Sequence, residues 1–284
     1  MGEANQRPLA VVTGASSGIG ADFARVLAAR GYDCVITARR EDRLRALAAE
    51  LEKDHGAKVT VIAADLGEPR GAARLADEVL ALGRPVKFLV NNAGFGVHGD
   101  FVGQDAARLA QMMQLNMVSL TELTHRFSQH MVENGGGKIL QVASVGAFQP
   151  SPYYAVYSAT KAYVRDFSQA ANWELRDKGV SITTICPGLT RTEFHEVADH
   201  IKPKSMDVLM MDARAVAEIG IRAAERGRAT VTPGLANKLM EWMIKWWTPR
   251  WLATAVAGVS MRPGAKEAAP AAPGAASALQ RRPT

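Results

Sequence analysis

Apolar positions along this chain fall into two alternating patterns. Short runs that are apolar at nearly every position recur at Leu9–Thr13, Asp33–Thr37, Lys58–Ala63, Val86–Val90, Lys138–Ala143, Val180–Ile185 and Ala229–Thr232. Continuous apolar runs of this length are expected of parallel strands buried on both faces. Between them lie longer segments with apolar residues at helical spacing: Gly18–Arg30, Glu41–His55, Glu68–Leu82, Gln104–Glu133, Ala155–Lys178 and Ala213–Glu225. Strand–helix alternation of this kind predicts an α/β fold, one doubly wound parallel sheet of about seven strands with helices on both faces. No internal repeat or linker divides it, so residues 1–233 read as one domain.

Two regions break the alternation. Residues 189–212 are long for a connection in a compact domain, and such connections are often lids. Residues 263–284 are mostly Ala, Pro, Gly and Ser, cannot bury enough apolar surface to offset chain entropy, and are expected to be disordered. Residues 234–262 form a Trp-rich stretch with its own helical pattern.

Composition narrows the classes further. Of 284 residues, 48% are hydrophobic and 22% charged, which excludes a wholly disordered or collagen-like chain. Cys34 and Cys186 are the only cysteines, so a disulfide scaffold is excluded and a reducing, cytoplasmic setting is expected. Neither cysteine belongs to a Cys/His cluster, and His98, His195 and His200 lack metal-ligand spacing, so no metal is expected. Met1–Pro8 is polar and lacks the apolar stretch of a secretory signal. No apolar run is long enough for a spanning helix. The net charge of +6 is uneven: residues 234–284 carry seven basic and two acidic residues, leaving +1 for residues 1–233. The basic balance therefore belongs to the tail and is no argument for nucleic-acid binding.

After the first strand comes Thr13-Gly14-Ala15-Ser16-Ser17-Gly18-Ile19-Gly20, which opens into a helix. Glycines permit close backbone approach to a pyrophosphate, and the N–H groups of a helix N-terminus bind its charge. A glycine-rich turn without ligand is the alternative. Further along come Asp65, Asn91-Asn92-Ala93-Gly94, Asn116, Ser144, Tyr157-x-x-x-Lys161 and Pro187-Gly188. In this order, over about residues 8–233, the set resembles the short-chain dehydrogenase/reductase family. The resemblance implies a single Rossmann-type domain, usually assembled into dimers or tetramers.

The end of the second strand bears on the cofactor, because an acid there suits a ribose diol and an arginine suits a 2′-phosphate. Here it reads Thr37-Ala38-Arg39-Arg40, with no acid before Glu41. NADP(H) is therefore expected, with Arg39 on the phosphate and Arg40 as a stacking or supporting partner. By resemblance Asp65 and Leu66 flank the adenine, although Asp65 also reads as the cap of a helix beginning near Glu68. Asn92, Ala93 and Gly94 are expected along the nucleotide, as are Gly14, Ser16, Ser17, Gly18, Ile19 and Gly20 in the turn. Pro187, Gly188, Thr190 and Thr192 match the segment beside the nicotinamide and pyrophosphate.

Tyr157 and Lys161, four residues apart on a helix, share one face. A nearby ammonium lowers a phenol's pKa, so the tyrosine can exchange a proton with a carbonyl or alcohol oxygen. The resemblance gives Ser144 the substrate oxygen, Asn116 a relay water and Lys161 the nicotinamide ribose. Cys186 reads as a buried small hydrophobe.

The segment Phe194, His195, Val197, Ile201, Met206, Val208, Leu209, Met210 and Met211, with Phe95, Val97 and Phe148 at other strand ends, suggests an apolar carbonyl or alcohol substrate. Packing of that segment on the domain alone is the alternative. In Leu235–Trp247, Lys238, Glu241 and Lys245 form the only polar stripe, and Trp251–Met261 reads as a second helix. So much aromatic surface needs a cover: a partner subunit, the substrate mouth, or a membrane interface through residues 235–261. The reading is an NADP(H)-dependent carbonyl reductase or alcohol dehydrogenase. Its rivals are a catalytically silent NADP-binding scaffold and a membrane-interface protein.

Overall fold

A computed structural model describes residues 6–194 and 210–263. Seven strands form one parallel sheet: β1 (Leu9–Thr13), β2 (Asp33–Ala38), β3 (Val59–Ala63), β4 (Val86–Asn91), β5 (Gly137–Val142), β6 (Val180–Ile185) and β7 (Thr230–Val231). Their order is β3-β2-β1-β4-β5-β6-β7, with every pairing parallel. Helices α1 (Gly18–Ala29), α2 (Glu41–His55), α3 (Gly71–Leu80), α4 (Ala106–Met113), α5 (Leu120–Glu133), α6 (Ala155–Leu175) and α7 (Ala213–Glu225) connect the strands.

The absence of alternation in β1 has a direct cause. Ala10 and Val12 pack with Phe23, Leu27, Leu44 and Ile221 on one face, whereas Leu9 and Val11 pack with Leu75, Val79 and Phe127 on the other. Both faces are covered, so both sets of side chains must be apolar. Strand order reverses between β1 and β4. That switch point leaves a crevice at the carboxyl ends of the strands, where α/β sheets bind ligands.

Three elements depart from the sequence pattern. The helix expected over 104–133 is divided by a π-helical turn at Gln114–Ser119, which holds Asn116. The helix expected from Glu68 begins at Gly71, because Arg70 takes a left-handed backbone (φ 63). A side chain at Gly71 would also lie 2.3 Å from the Asp65 carbonyl oxygen. The last strand shortens to two residues, Thr230–Val231.

The long connection is pinned at its base, where the Arg191 N–H donates to the Met211 carbonyl and the Met211 N–H to the Leu189 carbonyl. His195, Val197, Ile201, Met206, Val208 and Leu209 lie outside the described residues, as does residue 264 onward. Beyond β7, α8 (Leu235–Trp246) and α9 (Arg250–Ser260) follow the expected helical pattern. Ile244 of α8 packs on a cluster containing Phe148, Val164 and Cys186. Among the described residues no helix is long and apolar enough to cross a membrane.

Candidate active site

The glycine turn is laced to the end of β4. Thr13 Oγ1 accepts from the backbone N–H groups of Asn92 and Ala93, each at 3.0 Å, and donates to the Val90 carbonyl. The Asn92 amide donates to the carbonyls of Thr13 and Gly14 at 3.0 and 3.2 Å. This leaves no room for a Cβ at Gly14 or Gly20. A Cβ on Gly20 would lie 2.1 Å from the Gly14 carbonyl oxygen. Gly14 combines a positive φ of 67 with a Cβ position 2.8 Å from the Asn92 amide. Ser17 precedes α1 without capping it. Its hydroxyl instead accepts from Arg40 Nη2 at 2.8 Å. The first turn of α1 thus meets no capping side chain, and a close, donor-rich backbone of this kind fits a pyrophosphate.

Arg40 spans the turn, also donating to Ser16 Oγ and to Glu193, 2.9 Å away. Arg43 reaches the same carboxylate, and the two guanidiniums, Arg43 first, hold the Glu193 carboxyl down at about 2. Arg39 is 65% exposed and lies 3.9 Å from Asp65, so its guanidinium is open to a ligand. Asp65 does not cap α3. Its Oδ1 accepts from the Gly67 N–H at 2.8 Å and shapes the turn after β3. Leu66 is buried beside it, and Thr192 lies over Gly18. Thr190 bonds the Gly188 carbonyl. The Pro187 carbonyl accepts from the Val145 N–H, tying that segment to the Ser144 loop. These residues fit a nicotinamide dinucleotide.

The four proposed catalytic residues stand together at the carboxyl edge of β4 and β5. Ser144 Oγ accepts from the Gly146 N–H at 3.1 Å and hydrogen-bonds Tyr157. Lys161 Nζ donates to the Val142 carbonyl at 2.8 Å and lies 5.8 Å from the Tyr157 ring centre. Asn116 is fully buried, accepts from the Phe95 N–H and donates to the Phe95 carbonyl and to Thr160 Oγ1. That two-way grip on Phe95 is what the π-helical turn provides. A Cβ on Gly94 would lie 2.9 Å from Asn116 Oδ1 and 3.4 Å from Lys161 Nζ, so both groups converge on that glycine.

The electrostatics correct one expectation. Burial pushes the Tyr157 phenol up to about 12, opposed by the bond to Ser144. The ammonium is directed at Val142 instead. Burial also pushes Lys161 down to about 8. The phenol is therefore protonated at neutral pH and ready to donate.

Tyr157 lies in an aromatic wall, with Phe194 and Tyr154 at ring-centre distances of 5.4 and 5.7 Å. Phe95, Val97 and Met112 continue it. Two expected wall residues are elsewhere. Phe148 is buried with Val164 and Cys186, between the Arg165 and Lys245 cations. Met211 packs against the core on the α1 face of the sheet. His98, read as a loop residue, is buried against Tyr154 and bonds the Met261 carbonyl at 2.8 Å. Among the described residues no His, Cys, Asp or Glu cluster could hold a metal. Thr160 and Glu193 have no counterpart among the expected site residues, because an isolated hydroxyl or carboxylate carries no spacing signal.

Residues 8–202 match the family model for short chain dehydrogenase. The chain belongs to the short-chain dehydrogenase family. It is 33% identical over 206 residues to sulfoacetaldehyde reductase 2 of Chromohalobacter salexigens, covering 72% of this chain and 81% of that one. It is 28% identical over 246 residues to a very-long-chain 3-oxoacyl-CoA reductase of Neurospora crassa, covering 83% of this chain and 72% of that one. Among solved structures, a short-chain dehydrogenase from Sphingobium yanoikuyae in complex with NADPH matches with a TM-score of 0.75 and 31% identity. That match covers 85% of this short-chain dehydrogenase and 96% of its neighbour.

Proposed function

We propose that this short-chain dehydrogenase is an NADP(H)-dependent reductase of apolar carbonyl compounds, reversible to the alcohol. The observation that carries the reading is the bond between Ser144 and Tyr157 beside the meeting of Asn116 and Lys161 at Gly94, one strand end away from a glycine turn with no room for a Cβ at Gly14 or Gly20. A bound NADPH supplies the hydride, and the protein supplies orientation and proton chemistry. Ser144 holds the carbonyl oxygen against the Tyr157 hydroxyl. Tyr157, protonated at neutral pH, donates to the oxygen as it gains negative charge. Lys161, close to its own titration point, adds positive potential beneath that oxygen, and Asn116 anchors water on the path toward Lys161. NADP(H) over NAD(H) is supported by the exposed Arg39 and the hydroxyl–arginine cluster at Ser16, Ser17 and Arg40. The apolar substrate is supported by the wall of Phe95, Val97, Tyr154 and Phe194.

A panel of long-chain, aromatic and polycyclic ketones, each offered with NADPH and with NADH, tests this reading. Turnover of apolar ketones, faster with NADPH, is expected. Reduction of small charged aldehydes alone, or a preference for NADH, would overturn the respective part.

A further inference from the structure

Helix α8 is docked with its polar groups inward. The Asn237 amide lies against Gly188, where a Cβ would be 2.5 Å from it. Glu241 accepts from the Thr232 hydroxyl and pairs with Lys245. No residue of α8 is buried, and Ile244 is its apolar anchor on the domain. In α9 only Ala253 and Ala257 are buried, two small residues one turn apart. The large side chains of both helices point away from the protein: Leu235, Trp246, Trp247, Trp251 and Val259 are each at least 70% exposed. An amphipathic pair oriented this way presents its apolar face to something outside the chain.

The charges say what that is. Between residues 234 and 263, Lys238, Lys245, Arg250 and Arg262 face a single acid, Glu241, for a net charge of +3. Lys245 is neutralised by Glu241, which is turned toward Thr232, so the net charge is carried by the exposed Lys238, Arg250 and Arg262. Cores of protein–protein interfaces are depleted in lysine, and a two-fold contact through this face would set +3 against +3. Exposed tryptophans beside Lys and Arg on short helices suit the headgroup boundary of a bilayer, where the indole ring is half buried and its N–H remains wet. At 12 and 11 residues, α8 and α9 lie along such a surface and do not cross it.

We propose that α8 and α9 seat this protein on the surface of an anionic lipid bilayer, tryptophans inserted at the headgroup level and Lys238, Arg250 and Arg262 over the lipid charge. The test is sedimentation of the full chain with vesicles of phosphatidylcholine alone, or of three parts phosphatidylcholine to one of phosphatidylglycerol. Partition into anionic vesicles should exceed that into neutral ones at least tenfold and fall as salt rises. Each basic residue near the surface contributes about fivefold, so Lys238→Gln/Arg250→Gln should lower partition roughly thirtyfold. Trp246→Ser/Trp251→Ser, both at exposed positions, should abolish pelleting while circular dichroism and sedimentation velocity stay unchanged. Absence of pelleting, or equal partition into both vesicle types, would overturn the proposal. So would a tryptophan variant that converts a dimer to a monomer with no vesicle binding in either form, because the cover would then be a second copy.

Discussion

Gly94→Ala places a single methyl group where the two ends of the proposed relay meet. Its Cβ would sit 2.9 Å from Asn116 Oδ1 and 3.4 Å from Lys161 Nζ. Ordinary carbon–oxygen contact needs roughly half an ångström more than the first of these distances. Asn116 has little freedom to give, because it is fully buried and its amide is gripped by both backbone groups of Phe95 and by Thr160. Moving it weakens one or two hydrogen bonds at about 1 kcal/mol each, and overpacking adds about 1–3 kcal/mol. A total destabilisation of about 2–5 kcal/mol follows. Because the relay is displaced as well, kcat should fall by about 10²-fold, the scale of a small misplacement of catalytic groups. Thermal denaturation and NADPH consumption measure the two effects. Gly103→Ala is the control, since its Cβ would meet nothing within 4 Å. That variant should be close to wild type in both assays. Wild-type stability and turnover in Gly94→Ala would refute the convergence argument.

Two other substitutions test separate parts of the site. Arg39→Ala should weaken NADPH by about 1.5–3 kcal/mol, roughly ten- to a hundredfold, and leave NADH nearly unchanged; equal weakening in a binding titration would make Arg39 structural. Lys161→Met should abolish turnover yet stabilise the cofactor-free protein by about 2 kcal/mol at pH 7, because burial holds Lys161 at about 8 against an ordinary 10.5 and Val142 loses one donor. A depressed lysine pKa means that wild type gains stability as pH rises from about 8 to 10.5, so the advantage of the variant should vanish across that window. Destabilisation at pH 7, or an advantage that grows with pH, would contradict that electrostatic picture.

Much of the scaffold was legible because burial on both faces writes itself into composition. β1, β6, α2 and α7 fall where the apolar pattern places them, each covered by neighbours that require apolar side chains on the facing positions. The departures come from tertiary contacts that leave no periodic trace. The break at Gln114–Ser119 reflects the bonds from Asn116 to Phe95, 21 residues earlier, and nothing in a helical pattern announces it. The delayed start of α3 depends on a left-handed Arg70, an unusual choice for a residue with a side chain. In α8 the periodicity separates a polar stripe from an apolar surface without saying which residues meet the domain. Glu241, one residue of that stripe, bonds the Thr232 hydroxyl. Within the site, the spacing of Tyr157 and Lys161 was visible, whereas their mutual electrostatics were not. Burial decides the state of each, opposed at Tyr157 by the bond to Ser144, and burial depends on atoms far away in sequence.

The central claim is that Tyr157 donates the proton, and single-turnover reduction of an apolar ketone by NADPH-loaded Tyr157→Phe protein tests it most directly. The phenylalanine ring keeps the contacts with Tyr154 and Phe194 and removes only the hydroxyl bonded to Ser144. NADPH affinity should therefore stay within about twofold, while the rate falls at least ~10²-fold, the usual contribution of a positioned general acid. A single-turnover rate within about twofold of wild type, with NADPH bound, would contradict the assignment of Tyr157 as the proton donor.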